Sequence, residues 1–267
     1  MGIKILLLQI LWLINLYGGL EEIQLKYKIS KPLLFKSTSP FNFKQFSTYD
    51  SSDIYFDTSN FDIYSKGMSL RFRKVLKDGR YVFEFQLKTE DMKGDGQRVE
   101  VEDKSLDGYQ VDGKKLELTL NSYFQILSKK PLNKSSLSQE EKKISQWFEK
   151  FQNLWSAPLQ ELKHLKIDVK KLKPQIYAHF VRQRFHMSHN NYSSNLIAEA
   201  SQDVGFLLSI QNEKKYNLIE VEVENKSFDK ADFDTIVNEL PSILPLKSQF
   251  NSKYRQAVKF FKLIPRN

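Results

Sequence analysis

The chain has 267 residues, 40% of them hydrophobic and 13% aromatic, enough apolar material for a buried core and too much for a disordered polymer. Lys and Arg number 41 against 32 Asp and Glu, and the resulting charge of +9 favours an anionic partner without choosing one. The absence of cysteine excludes disulfides, thiolate zinc sites and cysteine nucleophiles, and the four histidines have no HExxH spacing to support a metal centre.

The N-terminus reads as a targeting segment. Lys4 precedes an apolar run from Ile5 to Tyr17 broken only by Gln9 and Asn15, and Gly18 and Gly19 then supply small residues for cleavage. Ile3 to Leu20 is also just long enough for a membrane anchor. Residues 1–19 are therefore expected to be a signal peptide or anchor, giving a periplasmic, secreted or membrane-associated protein. A misassigned start codon would instead make it cytoplasmic.

From residue 20 to 267 the sequence reads as a single domain. Short segments alternate polar and apolar residues with period two, the mark of strands with two different faces. They run from Glu22 to Lys28, Ser69 to Lys74, Arg80 to Lys88, Gln97 to Glu102, Gln175 to His186, Ile197 to Asp203 and Leu218 to Glu224. A helical insertion is expected over about 138–166, opened by a Ser138–Glu141 capping box. Ile144, Trp147, Phe148, Phe151, Leu154 and Trp155 follow at helical spacing, then Leu159, Leu162 and Leu165 after Pro158. A further helix is expected from Ala231 to Leu240. Helices placed between strands without βαβ alternation make the class α+β.

One hairpin can be derived in register. Asp78-Gly79 suits a two-residue type I′ turn, which pairs Lys77 with Arg80, Val75 with Val82, Arg73 with Glu84, Phe72 with Phe85, Arg71 with Gln86 and Leu70 with Leu87. Leu70, Phe72, Phe85 and Leu87 then share one face. Arg71, Arg73, Glu84, Gln86 and Lys88 share the other, where three cations beside one carboxylate call for a bound anion. Elsewhere Glu220, Glu222 and Glu224 form a carboxylate row, Glu100 and Glu102 stand beside Arg98, and Glu199 shares a face with Asp203. A hydrated sheet surface explains such alternation in general, but three carboxylates in a row call for a counter-ion, and a hard cation with oxygen ligands is the natural one.

These segments resemble, in order, the motifs of the CYTH family of triphosphate tunnel metalloenzymes. Glu22-Ile23-Gln24-Leu25-Lys26 matches ExExK except at its middle acid. Tyr55-Phe56-Asp57-Thr58 resembles YYDT, and Leu70-Arg71-Phe72-Arg73 resembles LRxR. Leu87-Lys88-Thr89, Arg98 to Glu102, Glu199 to Gly205, Glu220 to Glu224 and Ser252-Lys253 with Arg255 complete the series. The resemblance implies an eight-stranded antiparallel β-barrel forming a tunnel, with helices packed outside and the charged faces turned inward, so that Ile23, Leu25, Phe72 and Val221 point outward.

By motif position, Lys26, Arg71, Arg73, Lys88, Arg98, Arg182, Arg184 and Lys253 would grip the oxygens of a triphosphate or polyphosphate. Glu22, Gln24, Glu100, Glu102, Glu199, Asp203, Glu220, Glu222 and Glu224 would supply ligands for Mg2+ or Mn2+, and Glu22 and Lys26 would take part in catalysis. The implied reaction is metal-dependent hydrolysis of inorganic triphosphate or a triphosphate-containing compound. The alternative is a polyphosphate- or organophosphate-binding module with a weakened metal site, because Gln24 offers a neutral oxygen where the family has a carboxylate. Tyr55 and Asp57 read as structural, His186 as a hydrogen-bonding neighbour, and the lysines from Lys163 to Lys173 as a solvated connection. No nucleic-acid partner is expected, since no aromatic residues interleave that charge.

Overall fold

The computed structural model describes residues 20–36, 40–77, 80–89, 97–103, 139, 157–190, 198–226, 230–249 and 251–264. Eight long strands form one antiparallel sheet: β1 (Leu20–Lys28), β2 (Phe41–Asp57), β3 (Met68–Lys77), β4 (Arg80–Thr89), β5 (Gln97–Asp103), β6 (Lys173–His189), β7 (Ala198–Ser209) and β8 (Lys215–Asn225). A two-residue strand, β9 (Lys247–Ser248), joins the edge of β1. The order is β5-β4-β3-β2-β6-β7-β8-β1-β9, and β1 pairs with β8 through residues 24–28 and with β5 through residues 20–23. The β3–β4 register is the one the Asp78-Gly79 turn demands, from Lys77 opposite Arg80 to Leu70 opposite Leu87.

Four α-helices accompany the sheet among the described residues: α1 (Asp62–Ser65), α2 (Ala157–His164), α3 (Lys230–Ile243) and α4 (Lys253–Phe261). Two of them cover the apolar face predicted to point outward. Leu159 and Leu162 of α2 pack on Leu70, Phe72, Phe85 and Leu87, with Ile54 and Phe56 of β2 beside them. Phe233 and Leu240 of α3 pack on Val221 and Val223, and Leu25 and Tyr27 join the same cluster. Of the expected helical insertion, the part before Ala157 falls outside the described residues apart from Gln139, as do the side chain of Ile23 and residues 1–19.

The expectation that helices pack only outside needs correction at α4. Its apolar stripe of Tyr254, Ala257, Val258 and Phe261 packs on Tyr55, Ile176, Ala178, Phe180, Leu207 and Leu218. Those residues alternate in phase with Asp53, Arg182, Asp203 and Glu220, so α4 lies against the charged face. The i, i+3, i+4, i+7 spacing buries one side of a short helix, and Ser252 caps its start by accepting from the Arg255 amide at 3.1 Å.

Asp57 anchors that helix. Its carboxylate accepts from the backbone amides of Thr58 (2.7 Å), Ile63 (2.9 Å) and Tyr64 (2.9 Å), and from the Tyr254 hydroxyl at 2.9 Å. Burial raises the pKa of Asp57 above the usual carboxylate range, and these four hydrogen bonds only partly offset the rise. Asp57 thus ties the end of β2 to α1 and α4, the structural role expected of it. Gly205 has an equally local reason: a Cβ there would lie 2.0 Å from the His179 carbonyl oxygen and 2.5 Å from the Phe180 Cα. Only glycine lets β7 approach β6 so closely.

Candidate functional site

Strand register aligns the charged side chains in rungs across the sheet. One rung runs Tyr49, Arg182, Asp203, Glu220 and Lys28; the next runs Ser47, Arg184, Ser201, Glu222 and Lys26; a third runs Lys44, His186, Glu199, Glu224 and Gln24. On the far side of β2, Asp53 stands opposite Arg73, which stands opposite Glu84, and Tyr55 stands opposite Arg71, which stands opposite Gln86. Side chains of successive residues alternate across a strand, so all of these project from one face.

The deepest group joins four strands to α4. Arg182 donates to both oxygens of Asp203 at 2.6 Å and to Glu222. Lys26 donates to Glu222. Lys253 reaches up from α4 to contact Asp203 at 2.7 Å, Glu222 at 3.1 Å, and Glu220. Gln256, one turn further along α4, donates to the other oxygen of Glu220 at 2.9 Å. Gln24 donates through its amide nitrogen to Glu222 at 3.3 Å. Asp203, Glu220, Glu222 and Lys253 are all less than 5% exposed.

Burial alone would favour the neutral acids. Opposing it, the charges of Arg182 and Lys253 hold the Asp203 carboxyl below its usual range, and those two with Lys26 hold Glu222 well below it. Burial would likewise strip Lys253 of its proton, but Asp203, Glu220 and Glu222 raise it above the ordinary lysine range. Within the group each charged side chain has an opposite charge within contact. Above it, Arg184 pairs with Glu199 through two hydrogen bonds at 2.5 and 2.6 Å. Glu224, further out, pairs with Lys226.

Sequence reading missed Asp53, which changes the meaning of the arginine patch on the β3–β4 hairpin. Fully buried on β2, it accepts from Arg73 at 2.8 and 2.9 Å and from Arg71 at 3.4 Å. Tyr55 donates to it at 3.3 Å, and Arg71 also donates to Gln86 at 2.5 Å. The crowding that called for a bound anion is met inside the chain. Burial pushes the Asp53 pKa up, but the Arg73 and Arg71 charges and the Arg73 hydrogen bonds override it and leave the carboxyl far below its usual range. The Tyr55 hydroxyl, buried beside that carboxylate, is pushed up to about 12 and stays a neutral donor. The signal for Asp53 was its two-residue offset from Tyr55 on the same strand.

Glu22, Arg98, Glu100 and Glu102 are placed by strand register alone, Glu22 opposite Arg98, Lys88 opposite Glu100 and Gln86 opposite Glu102; their side chains lie outside the described set. Lys88 is half-buried at the β4 end of this row. His186 is not the hydrogen-bonding neighbour expected of it: its Nδ1 is buried without a partner, and its ring stacks on Phe46.

Asp203, Glu220 and Glu222 bring carboxylate oxygens within 4.8 Å of one another. An all-oxygen, triply anionic donor set suits a hard divalent cation such as Mg2+ or Mn2+. A family model described as CYTH domain matches residues 20–254. The chain belongs to the CYTH domain family. A search of curated proteins finds no match.

Among solved structures, the PH1819 protein from Pyrococcus horikoshii OT3 aligns at 14% identity and a TM-score of 0.47, over 90% of this chain and 99% of its own. HpAC1 from Hippeastrum, named for adenylyl cyclase and reported with a dominant triphosphatase activity, aligns at 16% identity and a TM-score of 0.48, over 90% and 96%. The PH1012 protein from Pyrococcus horikoshii OT3 gives 13% identity and a TM-score of 0.40, over 86% and 96%. Within this CYTH chain Lys26, Arg182, Asp203, Glu220, Glu222 and Lys253 meet in one cluster, and Arg71 and Arg73 meet Asp53.

Because the Asp53 carboxyl is depressed in the folded state, its contribution to stability is complete above the unfolded carboxylate range and is lost as pH falls through the lower folded value. Asp53→Asn is expected to lose about 3–5 kcal/mol at pH 7, the scale for removing one partner of a buried ion pair. The gap to the wild type should narrow below about pH 4, where the unfolded chain binds the proton. Urea unfolding of both proteins at pH 7 and at pH 3.5 measures this, and an equal gap at the two values refutes it.

Proposed function

We propose that this CYTH protein hydrolyses a triphosphate, inorganic or carried on a larger compound, with a divalent cation. The observation behind the reading is the meeting of Asp203, Glu220 and Glu222 with Lys26, Arg182 and Lys253 in one buried group. In this reading the β1–β5 pairing completes an eight-stranded tunnel, with α4 as its floor. Asp203, Glu220 and Glu222 would hold the cation, which when bound neutralises phosphate charge and acidifies water. Arg182 is already oriented by its two hydrogen bonds to Asp203, so its planar fork needs little rearrangement to meet phosphate oxygens. Lys26 and Lys253 present compact point charges at the same Glu222 oxygen.

Every cation here is shared with a carboxylate. An anion that takes over Arg182, Lys26 or Lys253 leaves that carboxylate in need of another positive partner, so anion and cation binding support one another. Two features favour the alternative of a binding module. The Gln24 amide nitrogen faces Glu222, and the Lys253 ammonium already lies among the three carboxylates. For the N-terminal segment we propose export or membrane attachment, on the strength of its apolar run after Lys4.

The purified full chain is expected to release phosphate from tripolyphosphate with Mg2+ or Mn2+, and chelator should abolish the release. Blank-level turnover together with tight polyphosphate binding would establish the binding module instead. Gln24→Glu should lower the Mn2+ concentration for half-maximal turnover several-fold by restoring one unit of negative charge beside Glu222. Unchanged metal dependence would show that position 24 has no part in cation binding. Residues 1–30 fused to a reporter should carry it across the membrane, and a purely cytosolic reporter defeats the export proposal.

A further inference from the structure

Helix α4 buries one stripe and leaves its other side at the surface. Tyr254, Ala257, Val258 and Phe261 pack on the sheet, while Phe260, one position off that stripe, is 51% exposed. Its ring rests on Tyr216 of β8, with 4.5 Å between centroids. Lys259 and Lys262 flank it at the end of α4, and Lys214 and Lys215 precede Tyr216. The Lys28 ammonium lies 5.7 Å from the centre of the Tyr216 ring. All five lysines are exposed.

Little among the described residues neutralises this surface. Glu213 is the single carboxylate in the segments 27–30, 210–217, 247–249 and 259–264 that build it. Glu220 stands opposite Lys28 in register, but it is buried and taken by Lys253 and Gln256. Lys259 donates to the neutral side chain of Asn251 at 2.8 Å. Lys28 and the exposed Lys247 stand directly opposite one another where β1 meets β9, a placement in which like charges repel. The dipole of α4 accounts for lysines at its C-terminal end. It accounts neither for the Lys28–Lys247 pair nor for an aromatic ring held in water between them.

A bare ring among lysines fits a partner that is anionic at its surface and apolar just beneath. At a lipid interface the ring enters the boundary between headgroups and acyl chains, and long lysine stems follow it while their ammonium groups stay among the phosphates. The cations are all lysine (Lys28, Lys214, Lys215, Lys247, Lys259, Lys262), mobile point charges suited to a diffuse surface potential. Arginine, whose planar fork reads base edges in nucleic acid, is absent from these segments. A protein partner would call for a contiguous apolar centre, and here one exposed ring stands inside a basic rim. We propose that this end of the molecule, centred on Phe260, is a docking surface for membranes that carry anionic lipids. Phe260 lies seven residues beyond Lys253, about 10 Å along α4 at 1.5 Å per residue. The surface is therefore separate from the buried charged group and does not depend on the triphosphate reading.

Co-sedimentation of the full chain with lipid vesicles tests this. Vesicles of phosphatidylcholine alone give the baseline to which the apolar N-terminal run contributes. Vesicles with about one-third phosphatidylglycerol should bind about a hundredfold more tightly at low salt. Raising the ionic strength to about 0.5 M should remove most of that gain. Lys259→Gln combined with Lys262→Gln should weaken binding to the anionic vesicles about twentyfold, the scale for two lysines at a charged membrane surface. Phe260→Ser should weaken it several-fold through loss of the inserted ring. Lys36→Gln combined with Lys44→Gln removes the same charge at exposed positions elsewhere and should cost little. Equal binding to the two kinds of vesicle overturns the proposal, as does unaltered binding in the Lys259–Lys262 and Phe260 variants or an equal loss in the Lys36–Lys44 variant. Tighter binding to a duplex oligonucleotide, lost in the same α4 variants, overturns the lipid assignment.

Discussion

Charge buried on a sheet face has to be neutralised where it stands, and the structure is arranged around that constraint. Taking an ion out of water costs several kcal/mol even after relaxation, recovered only with close opposite charge and filled hydrogen-bond positions. The charged face meets the requirement by sharing. Glu222 serves Lys26, Arg182 and Lys253; Asp203 serves Arg182 and Lys253; Asp53 serves Arg71 and Arg73. Six cations (Lys26, Arg71, Arg73, Arg182, Arg184, Lys253) thus stand among six carboxylates (Asp53, Glu84, Glu199, Asp203, Glu220, Glu222).

Sharing of this kind requires that the partners arrive from different parts of the chain at fixed heights. Sheet register sets the heights of Arg182, Asp203, Glu220 and Glu222, but Lys253 comes from a helix and needs its own anchor. Asp57 supplies it through the Tyr254 hydroxyl, one residue from Lys253, and the apolar stripe of α4 fixes the rotation. Phe180 lies between the apolar floor and the charges, with Lys253, Arg182 and Arg73 each within 6 Å of its ring. A ring face carries partial negative charge, so it tolerates those cations where an aliphatic side chain would only desolvate them.

Legibility in the sequence followed the strength of the alternation. The β3–β4 hairpin was readable to the residue because a two-residue turn leaves one register and Leu70, Phe72, Phe85 and Leu87 mark one face. The Glu220–Glu224 row and the Arg182–Arg184 pair were readable for the same reason. Strand β2 was not: from Asn42 to Asp50 it is mostly exposed and polar on both sides, so half of a 17-residue strand carries no period-two signal. Asp53 disappeared with it, and the arginines opposite looked uncompensated. Helix α4 was missed although Tyr254, Ala257, Val258 and Phe261 have helical spacing, since a nine-residue helix of low overall hydrophobicity is a weak pattern.

Gln24 shows how a single departure from a family pattern acts through this shared neutrality. A carboxylate at position 24 would face Glu222 and Glu224 on neighbouring register positions of β8, and its charge would need a cation of its own. The amide avoids that need and donates to Glu222 instead, which is then satisfied by Lys26, Arg182, Lys253 and Gln24 together. A carboxylate already engaged by three cations and an amide is a poorer ligand for a divalent ion than one facing another acid. The charged face is thus neutralised by its own side chains. An anion bound as proposed would have to reverse that balance by drawing Lys26, Arg182 or Lys253 away from the carboxylates they now hold.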